Sequence, residues 1–432
     1  MHKQLFAVAG NPVLHSLSPD MFNQYFESKG INAVYLRILA KNGEDALTTA
    51  VKAGFTGINI TAPFKEEAFH LADEKDRHSS GIGAVNTVIF KNGIKQGFNT
   101  DWTGVLEPFK KRNIDLAGRK VLIAGAGGAA KAAVYAMTRE KAEVTVTNRT
   151  EKKGIELAEK NGVRFAPLSN IAELMDENEI IISTISGGIN VFPENGFKPH
   201  HIIFDADYHH RIVSEAASNR GSAVIHGTEW LLNQAEHSLK LFTNKDLSGL
   251  KLPEIRSKKD NIAFIGFTGG GKSSTARELA KLLDRPLFDT DDFIEQNELI
   301  TISEIFAKKG EPYFRELEDK AVRTACSLKN HVISFGGGAA LSETNCSAIR
   351  SGCLVFWLFA DPKTTIERLG TDILKKPLLH SSDDPVKKAE TLLERRIPYY
   401  AECADELIDT TKMTPAQIAE MIVEEINRTL SN

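Results

Sequence analysis

The stretch GFTGGGKSS, residues 266–274, has the spacing G-x-x-x-x-G-K-[ST] of a loop whose backbone N–H groups surround a phosphate. In such a loop Lys272 would reach the β- and γ-phosphate oxygens, and the Ser273 hydroxyl would ligate Mg²⁺. A strand-like run, NIAFIGF, leads into the loop and ARELAKLL continues it with helical spacing. We therefore predict an ATP and Mg²⁺ site here, formed by Gly269, Gly270, Gly271, Lys272, Ser273 and Ser274.

A second glycine-rich turn, IAGAGGAAK, lies at residues 123–131, after the strand-like run VLIA. It fits the pattern G-x-G-x-x-G/A, in which glycine lets the backbone approach a pyrophosphate at a helix N-terminus. A plain strand-to-helix turn is the alternative. An NAD site would place Asp or Glu after the next strand, but the chain has Asn-Arg-Thr at 148–150, and a guanidinium suits a 2′-phosphate. The alternative for Arg149 is a solvated surface side chain. The residues predicted to bind NADP(H) are Gly125, Gly127, Gly128, Ala129, Asn148, Arg149, Thr150 and Lys153.

Polar side chains also interrupt the region before this turn, in the stretches HSLSP, NITAPFK, GAVNT and GFNTD. Together they offer hydroxyls, amides, the ammonium of Lys65 and the carboxylate of Asp101. Such a set suits a small polyhydroxylated acid. A solvated ion pair without function is the alternative for Lys65 and Asp101.

After the phosphate-binding loop, FDTDDFIE places Asp289 and Asp291 two residues apart at a predicted strand end. One carboxylate could support hydrated Mg²⁺ and the other could orient an acceptor hydroxyl. Arg315 in FRELE and Arg396 in ERRIPYY flank another glycine-rich stretch, FGGGA, and two arginines make a good trap for a carboxylate. A solvated acidic turn and two surface arginines are the alternative.

Strands and helices alternate along the chain, which predicts an α/β protein with largely parallel sheets. An Asn-Gly pair at 92–93 between VNTVIF and IKQGFN predicts a tight hairpin turn. The predicted plan has an α/β substrate domain at 1–101, completed by 230–245, and a Rossmann-like NADP domain at 102–229. A linker at 246–260 and a P-loop kinase-like α/β domain at 261–432 follow.

Composition restricts the classes of partner. Against 57 Asp and Glu there are 53 Lys and Arg, so a net charge of −4 gives no overall attraction to nucleic acid or to an anionic membrane. The four cysteines show no C-x-x-C pair, and the N-terminus shows no signal-peptide pattern. We expect a cytoplasmic protein with small-molecule substrates and no nucleic-acid or membrane partner.

The polar stretches and the first glycine-rich turn resemble the shikimate dehydrogenase family over about residues 1–245. That resemblance implies that Ser16 and Ser18 hold the substrate carboxylate, and that Lys65 and Asp101 form the catalytic pair. It further implies ring-hydroxyl contacts, for which the matching residues are Thr61, Asn86 and Gln234. A homodimer through this half is a further expectation.

Two stretches depart from that family's pattern. Residues 183–188, STISGG, replace the usual run near the nicotinamide, and HHRIVS follows Tyr208 where Thr-Pro is expected. Two alternatives therefore stay open: a dehydrogenase half that has lost activity and serves as a binding module, and a dehydrogenase that also uses quinate.

From about residue 261 onward the chain resembles the shikimate kinase family. The resemblance implies that Lys272 and Asp291 act in phosphoryl transfer, and that Ser273 and Asp289 hold Mg²⁺, the latter through water. Shikimate would be bound by Asp291, Arg315, Gly337, Gly338 and Arg396. Residues 370–377 would form a lid, where Lys376 stands in place of the usual ATP-binding arginine, and Arg368 could compensate.

The two resemblances imply consecutive reactions. The first half would reduce 3-dehydroshikimate to shikimate with NADPH, and the second would phosphorylate shikimate on its 3-hydroxyl with ATP. Both steps belong to the route to chorismate and the aromatic amino acids.

Overall fold

The computed structural model describes residues 3–245, 248–253, 259–375, 379 and 384–430. Within those residues, none of the helices is both long and apolar enough to cross a bilayer. The strands are β1 (Gln4–Gly10), β2 (Ala33–Leu39), β3 (Gly57–Ile60), β4 (Glu74–Lys75), β5 (Thr87–Lys91), β6 (Ile94–Phe98), β7 (Lys120–Ala124), β8 (Glu143–Thr147), β9 (Arg164–Phe165), β10 (Ile180–Ser183), β11 (Ile202–Asp205), β12 (Ala223–His226), β13 (Asn261–Ile265), β14 (Leu287–Asp289), β15 (Val332–Ser334), β16 (Cys353–Phe359) and β17 (Glu406–Asp409).

The helices alternate with these strands. They are α1 (Ser18–Ser28), α2 (Gly43–Lys52), α3 (Lys65–Leu71), α4 (Arg77–Ile82), α5 (Asp101–Lys111), α6 (Gly128–Arg139), α7 (Glu151–Asn161), α8 (Ile171–Glu177), α9 (Ile212–Ser218), α10 (Gly227–Thr243), α11 (Lys272–Leu283), α12 (Thr290–Glu298), α13 (Ile302–Ser327), α14 (Glu343–Gly352), α15 (Pro362–Leu369), α16 (Pro385–Cys403) and α17 (Pro415–Leu430). The predicted α/β class is thereby confirmed.

The chain divides into two compact units. The first comprises Met1–Phe55 together with Pro253–Ser431, and the second comprises Thr56–Leu252. The first two strands therefore belong with the C-terminal part of the chain. The predicted linker, 246–260, lies partly outside the described residues, at 246–247 and 254–258.

The first unit contains a seven-strand parallel arrangement in the order β14-β15-β13-β16-β17-β2-β1. Its centre is apolar because β13 is buried along its length and β16, CLVFWLF, is buried at all positions but one. The join between β17 and β2 pairs Glu406 with Arg37 and Leu407 with Ile38. Two strands that would otherwise be sheet edges thus satisfy each other's backbone groups.

The strands of the second unit form two groups. One is a parallel six-strand sheet in the order β12-β11-β10-β7-β8-β9, with helices on both faces, which is the Rossmann arrangement. The other has strand order β3-β5-β6-β4, with β5 and β6 antiparallel. Asn92 and Gly93 join β5 to β6 at φ angles of 53° and 77°, so the predicted hairpin turn is confirmed.

A buried polar cluster lies where β2 meets β17. Glu406 is fully buried, and neither carboxylate oxygen has a hydrogen-bond partner among the residues that the structure describes. Burial raises the pKa of Glu406 well above its usual value, and nearby Glu425 and Asp405 add to the rise while Arg37 opposes it. The folded chain therefore binds this proton more tightly than the unfolded chain.

We predict that Glu406→Gln stabilises the first unit increasingly as pH rises. A raised carboxyl pKa contributes stability at low pH that is lost as pH rises above the ordinary glutamate value of about 4.3. The neutral glutamine has no such loss, so between pH 4 and pH 8 the wild type should lose free energy of unfolding that Glu406→Gln retains. Urea unfolding between pH 4 and 8 measures the difference.

Glu420→Gln, at an exposed position of α17, is the control and should follow the wild-type pH dependence. Parallel pH profiles for Glu406→Gln and the wild type would contradict a raised pKa at Glu406.

Candidate functional site

Lys65 and Asp101 form a close ion pair in the second unit. Each is the first residue of a helix, α3 for Lys65 and α5 for Asp101. Lys65 Nζ lies 2.7 Å from Asp101 Oδ2, and their side chains are 17% and 1% exposed. The Asp101 backbone N–H donates to Asn99 Oδ1 at 3.0 Å, and Asn99 Nδ2 donates to the Ala84 carbonyl. The carboxylate is therefore held in place while the ammonium keeps some access to solvent.

Asn86 and Gln234, also in the second unit, form a hydrogen bond with each other. Asn86 Nδ2 donates to Gln234 Oε1 at 3.3 Å and to Thr100 Oγ1 at 3.0 Å. The Thr100 N–H donates to Asn86 Oδ1 at 2.8 Å, which places this network directly before Asp101. Thr61 is half-buried just beyond β3, and its carbonyl accepts from the Phe64 N–H.

The first glycine-rich turn connects β7 to α6 as predicted. Gly125 has a φ of 125°, and a Cβ there would collide with the Thr184 hydroxyl. Gly127 caps α6 and Gly128 begins it, with Ala129 in its first turn. A Cβ on Gly128 would lie 3.1 Å from Lys65 Cδ, so the turn and the Lys65 side chain approach closely. Unpaired N–H groups at the start of α6 favour an anionic group.

The predicted NADP-recognising residues follow β8. Asn148 Nδ2 donates to the Thr150 carbonyl at 2.8 Å, which folds the turn before α7. Arg149, Thr150 and Lys153 are exposed. Two cations at the end of the strand next to the glycine-rich turn fit a phosphate on an adenosine ribose.

Asp207 organises the two stretches that depart from the dehydrogenase pattern. Its Oδ2 accepts from the N–H groups of Gly187 and Gly188 at 3.0 and 3.2 Å, and from His210 Nδ1 at 3.1 Å. Its Oδ1 accepts from the N–H groups of His209 and His210. Burial raises the pKa of Asp207, but these hydrogen bonds outweigh it and hold the pKa below its usual value. An ionised Asp207 thus ties the loop after β10 to the loop after β11.

Ser16 and Ser18 lie in the first unit, between β1 and α1. Ser16 is buried, and its hydroxyl accepts from the Ser18 N–H at 3.4 Å. The Ser16 carbonyl accepts from Arg37 Nη2 at 2.6 Å. Ser18 begins α1.

The second glycine-rich turn joins β13 to α11 in the first unit. Gly269 and Gly271 have φ angles of 76° and 90°, and Gly270 lies between them. A Cβ on Gly269 would lie 2.8 Å from the Thr365 carbonyl oxygen, so only glycine fits. Lys272 begins α11 and its Nζ donates to the carbonyls of Gly266 and Phe267, both at 3.0 Å.

The hydroxyl-bearing residues of α11 continue the turn. Ser273 Oγ lies 3.2 Å from Ser334 Oγ at the end of β15. Ser274 is exposed next to it. The Ser273 hydroxyl is therefore oriented from the neighbouring strand.

Asp289 and Asp291 occupy different elements. Asp289 ends β14 and caps α12, with its Oδ1 accepting from the Asp291 N–H at 2.9 Å. The expectation that both carboxylates leave one strand is therefore wrong for Asp291, which lies in the first turn of α12. Because the Asp289 side chain caps α12, the chain leaves the strand between the two residues.

Asp291 lines a cavity of about 420 Å³ together with Lys272 and Ser273. The predicted shikimate residues line the same cavity. These are Arg315, Gly337, Gly338 and Arg396. Arg396 Nη1 donates to the Gly337 carbonyl at 3.3 Å, and a Cβ on Gly338 would collide with the Arg315 guanidinium.

Glu318 is a cavity residue that sequence reasoning missed. Arg315 Nη1 donates to Glu318 Oε2 at 2.6 Å, and Glu318 is only 2% exposed. Burial raises the pKa of Glu318, and Arg315 opposes the rise. The available signal was the i, i+3 spacing of Arg315 and Glu318 in FRELE, which puts both on one helix face. Asp207 was also missed, and the HH pair after Tyr208 offered no comparable signal.

Arg368 lies near the phosphate-binding turn. Its guanidinium donates to the Thr410 carbonyl at 2.5 Å and to Thr410 Oγ1 at 3.1 Å, and Nη1 lies 3.9 Å from the Cβ position of Gly271. Residues Gly370–Lys375 form a short 3₁₀ helix within the predicted lid. Lys376 and the lid residues after it lie outside the described residues.

Three family models match the chain. The model of the shikimate dehydrogenase substrate binding domain matches residues 8–88, and that of shikimate / quinate 5-dehydrogenase matches residues 108–201. The shikimate kinase model matches residues 268–427. The order of the matches is the order that the sequence motifs predicted.

Similar proteins and structures were found for the dehydrogenase half. The shikimate dehydrogenase (NADP(+)) of Syntrophobacter fumaroxidans is 35% identical over 60% of this chain and 93% of its own length, and that of Aquifex aeolicus is 36% identical over 55% and 91%. The Aquifex aeolicus crystal structure superposes with a TM-score of 0.54 at 34% identity, over 57% of this chain and 94% of that one. A Thermus thermophilus shikimate 5-dehydrogenase, solved with NADP(H) and shikimate, has a TM-score of 0.51 at 32% identity, over 58% and 95%.

The chain therefore belongs to the shikimate dehydrogenase family, and it carries in addition a C-terminal shikimate kinase domain.

Proposed function

We propose that the chain is a bifunctional enzyme of chorismate biosynthesis. It reduces 3-dehydroshikimate to shikimate with NADPH and then phosphorylates the 3-hydroxyl of shikimate with ATP and Mg²⁺. One observation carries the proposal: each glycine-rich turn lies beside side chains suited to the same acid. Gly128 approaches the Lys65 side chain, and the turn before Lys272 shares its cavity with Asp291, Arg315 and Arg396.

In the reduction, bound NADPH supplies a hydride to the ketone carbon. Negative charge then grows on the carbonyl oxygen, and Lys65 donates a proton to it. Asp101 orients the Lys65 ammonium at 2.7 Å and accepts from a substrate hydroxyl. Ser16 and Ser18 bind the substrate carboxylate, and the residues that contact ring hydroxyls are Thr61, Asn86 and Gln234.

Two groups of residues bind NADPH in this half. Gly125, whose own N–H donates to the Thr147 carbonyl, shapes the turn, and the N–H groups of Gly127, Gly128 and Ala129 bind the pyrophosphate. Arg149, with Asn148, Thr150 and Lys153, binds the adenosine ribose and its 2′-phosphate. Asp207 holds the two loops on the nicotinamide side.

In the phosphorylation, ATP with Mg²⁺ supplies the phosphoryl group. Asp291 orients the acceptor hydroxyl and accepts its proton, while Arg315 and Arg396 bind the shikimate carboxylate, with Gly337 and Gly338 letting the ring approach. Lys272, whose Nζ donates to the Gly266 and Phe267 carbonyls, would bind the phosphates. Ser273 would hold the metal ion, and Asp289 would support it through water.

The reading in which the dehydrogenase half is only a binding module is not favoured. A half that only binds a ligand does not require the 2.7 Å contact between Lys65 and Asp101 beside the glycine-rich turn. Use of quinate in addition to shikimate stays open, and side-by-side oxidation of the two acids with NADP⁺ distinguishes them. We further propose that the enzyme acts in the cytoplasm, on small molecules, as a homodimer through the dehydrogenase half.

Lys65 and Asp291 are tested in one assay. With 3-dehydroshikimate, NADPH and Mg-ATP all present, the wild type should yield shikimate 3-phosphate, identified by mass. Lys65→Ala should stop the sequence at its first step, with kcat for NADPH oxidation reduced on the order of 10²–10⁴-fold, because no proton donor meets the growing charge. When shikimate is supplied instead, Lys65→Ala should phosphorylate it at the wild-type rate.

Asp291→Asn should leave the first step intact and let shikimate accumulate. The amide keeps the shape of the carboxylate but cannot accept the proton of the acceptor hydroxyl, so kcat for phosphorylation should fall at least about 10²-fold. Asp292→Asn, at the exposed neighbouring position, is the matched control. Full phosphorylation by Asp291→Asn would remove Asp291 from the proposed role.

Arg149→Ala should reduce the preference for NADPH over NADH. Loss of one charged contact to a phosphate weakens binding by about 1.5–3 kcal/mol, or roughly 10–100-fold in KM for NADPH, while KM for NADH changes little. Arg119→Ala, which removes an exposed arginine paired with Glu179, is the control. An unchanged ratio of the two KM values would mean that Arg149 is a solvated surface residue.

A further inference from the structure

The loop that carries Ser16 and Ser18 is held by a carboxylate from the kinase half. Glu425, on the last helix α17, accepts at Oε1 from the Val13 N–H at 2.7 Å and from the Leu14 N–H at 2.5 Å. Glu425 is 1% exposed and Val13 is fully buried. Sequence separations of 412 and 411 residues make these contacts invisible to any local pattern.

The geometry transmits this restraint to Ser16. The Val13 carbonyl accepts from the Ser16 N–H at 3.0 Å, so residues 13–16 form one hydrogen-bonded turn. The Ser16 hydroxyl in turn accepts from the Ser18 N–H. A shift of the backbone at Val13 would therefore displace both serines.

Other contacts between the kinase half and residues 1–55 support the same loop. Arg428, one turn after Glu425, donates from Nη1 to Asn11 Oδ1 at 3.2 Å. Arg37 on β2 donates from Nη2 to the Ser16 carbonyl and from Nη1 to the Asp405 carbonyl at 3.5 Å, just before β17. Side chains thus hold the loop at three places: at Asn11, at Val13 and Leu14, and at Ser16.

Buried backbone N–H groups without an acceptor are costly, so the acceptor at Val13 and Leu14 has to come from some part of the protein. Here α17 supplies it. Burial raises the pKa of Glu425, and the two N–H donors and the guanidinium groups of Arg428 and Arg37 oppose the rise. A neutral acceptor of the same shape should therefore serve at this position.

We propose that Glu425, a residue of the shikimate kinase domain, is a positioning residue for the dehydrogenase reaction, because it holds the turn that presents Ser16 and Ser18 to the substrate carboxylate. The inference rests on the proposed function of the dehydrogenase half and goes beyond it. The kinase domain then helps to hold the substrate-binding loop of the dehydrogenase in place, which gives the fusion a physical role.

The test compares full-length Glu425→Ala, Glu425→Gln and Glu424→Ala. Alanine removes the acceptor, glutamine keeps it, and Glu424 is an exposed neighbour on α17 whose carboxylate pairs with Arg428. For Glu425→Ala we expect KM for 3-dehydroshikimate to rise about tenfold, with KM for NADPH unchanged and kcat changed less than KM. Glu425→Gln and Glu424→Ala should retain wild-type KM values.

Kinase kinetics in the same preparations report on the folding of α17. If Glu425→Ala phosphorylates shikimate normally and its KM for 3-dehydroshikimate equals that of the wild type, the inference is overturned. A rise in KM that glutamine does not rescue also overturns it, since a retained acceptor should suffice. Absence of 3-dehydroshikimate reduction by the wild type would instead refute the proposed function itself.

A second variant decides the matter if Glu425→Ala also loses kinase activity. Arg428→Ala removes the contact to Asn11 at an exposed position and leaves Glu425 in place. A rise of about threefold in KM for 3-dehydroshikimate with normal kinase activity supports the inference, since the variant loses one exposed hydrogen bond to the loop. An unchanged KM in that variant overturns it.

Discussion

Both sites depend on the same constraint, which is that the first N–H groups of a helix have no partners within the helix. In each half a central parallel strand ends in a glycine turn and a helix begins at once, β7 into α6 and β13 into α11. The neighbouring atoms leave no room for a side chain: the Thr184 hydroxyl lies where Gly125 would carry a Cβ, and the Leu358 carbonyl where Gly266 would. The turns therefore present backbone amides to a phosphate, while the reacting side chains of Lys65, Asp101 and Asp291 lie in the first turns of other helices.

The edge strands impose a second constraint on the first unit. A parallel strand with a free edge leaves a row of N–H and C=O groups to be satisfied, and β2 and β17 satisfy each other's. The pairing brings Arg37 opposite Glu406. Together with Glu425 of α17, these side chains form a cluster of buried polar groups. A buried carboxylate without donors weakens this join at neutral pH, which indicates that apolar packing and strand pairing supply its stability.

Much of the candidate site was predictable because its signals are local. The turns at 123–131 and 266–274 need glycine at fixed spacings, and the hairpin at Asn92 and Gly93 needs two positive φ angles, so the residue types announce the geometry. Lys65 and Asp101 were paired only through family resemblance, since 36 residues separate them. Asp207 collects its donors from two loops, and Glu425 from the other end of the chain. Neither spacing nor periodicity encodes such contacts, because they depend on which elements become neighbours.

The same limit applies to Asp289 and Asp291. A strand pattern places both on one side, but the Asp289 carboxylate caps α12, so the chain turns into a helix between them. At this position the chain could continue as a strand or begin a capped helix. The helix forms because its first N–H groups have no partners within the helix, and the Asp289 carboxylate accepts hydrogen bonds from them.

The two lysines next to the glycine turns illustrate how partners, not residue type, assign a role. Lys65 is paired with a buried carboxylate, so the pair as a whole carries no net charge and suits a neutral ketone that needs a proton. Lys272 Nζ donates to the Gly266 and Phe267 carbonyls, so the backbone of the glycine turn itself holds this ammonium at the start of α11. Loss of Asp101 would leave the Lys65 ammonium without the carboxylate that orients it. The two ammonium groups are thus positioned by different means, Lys65 by a buried carboxylate and Lys272 by carbonyls of the glycine turn.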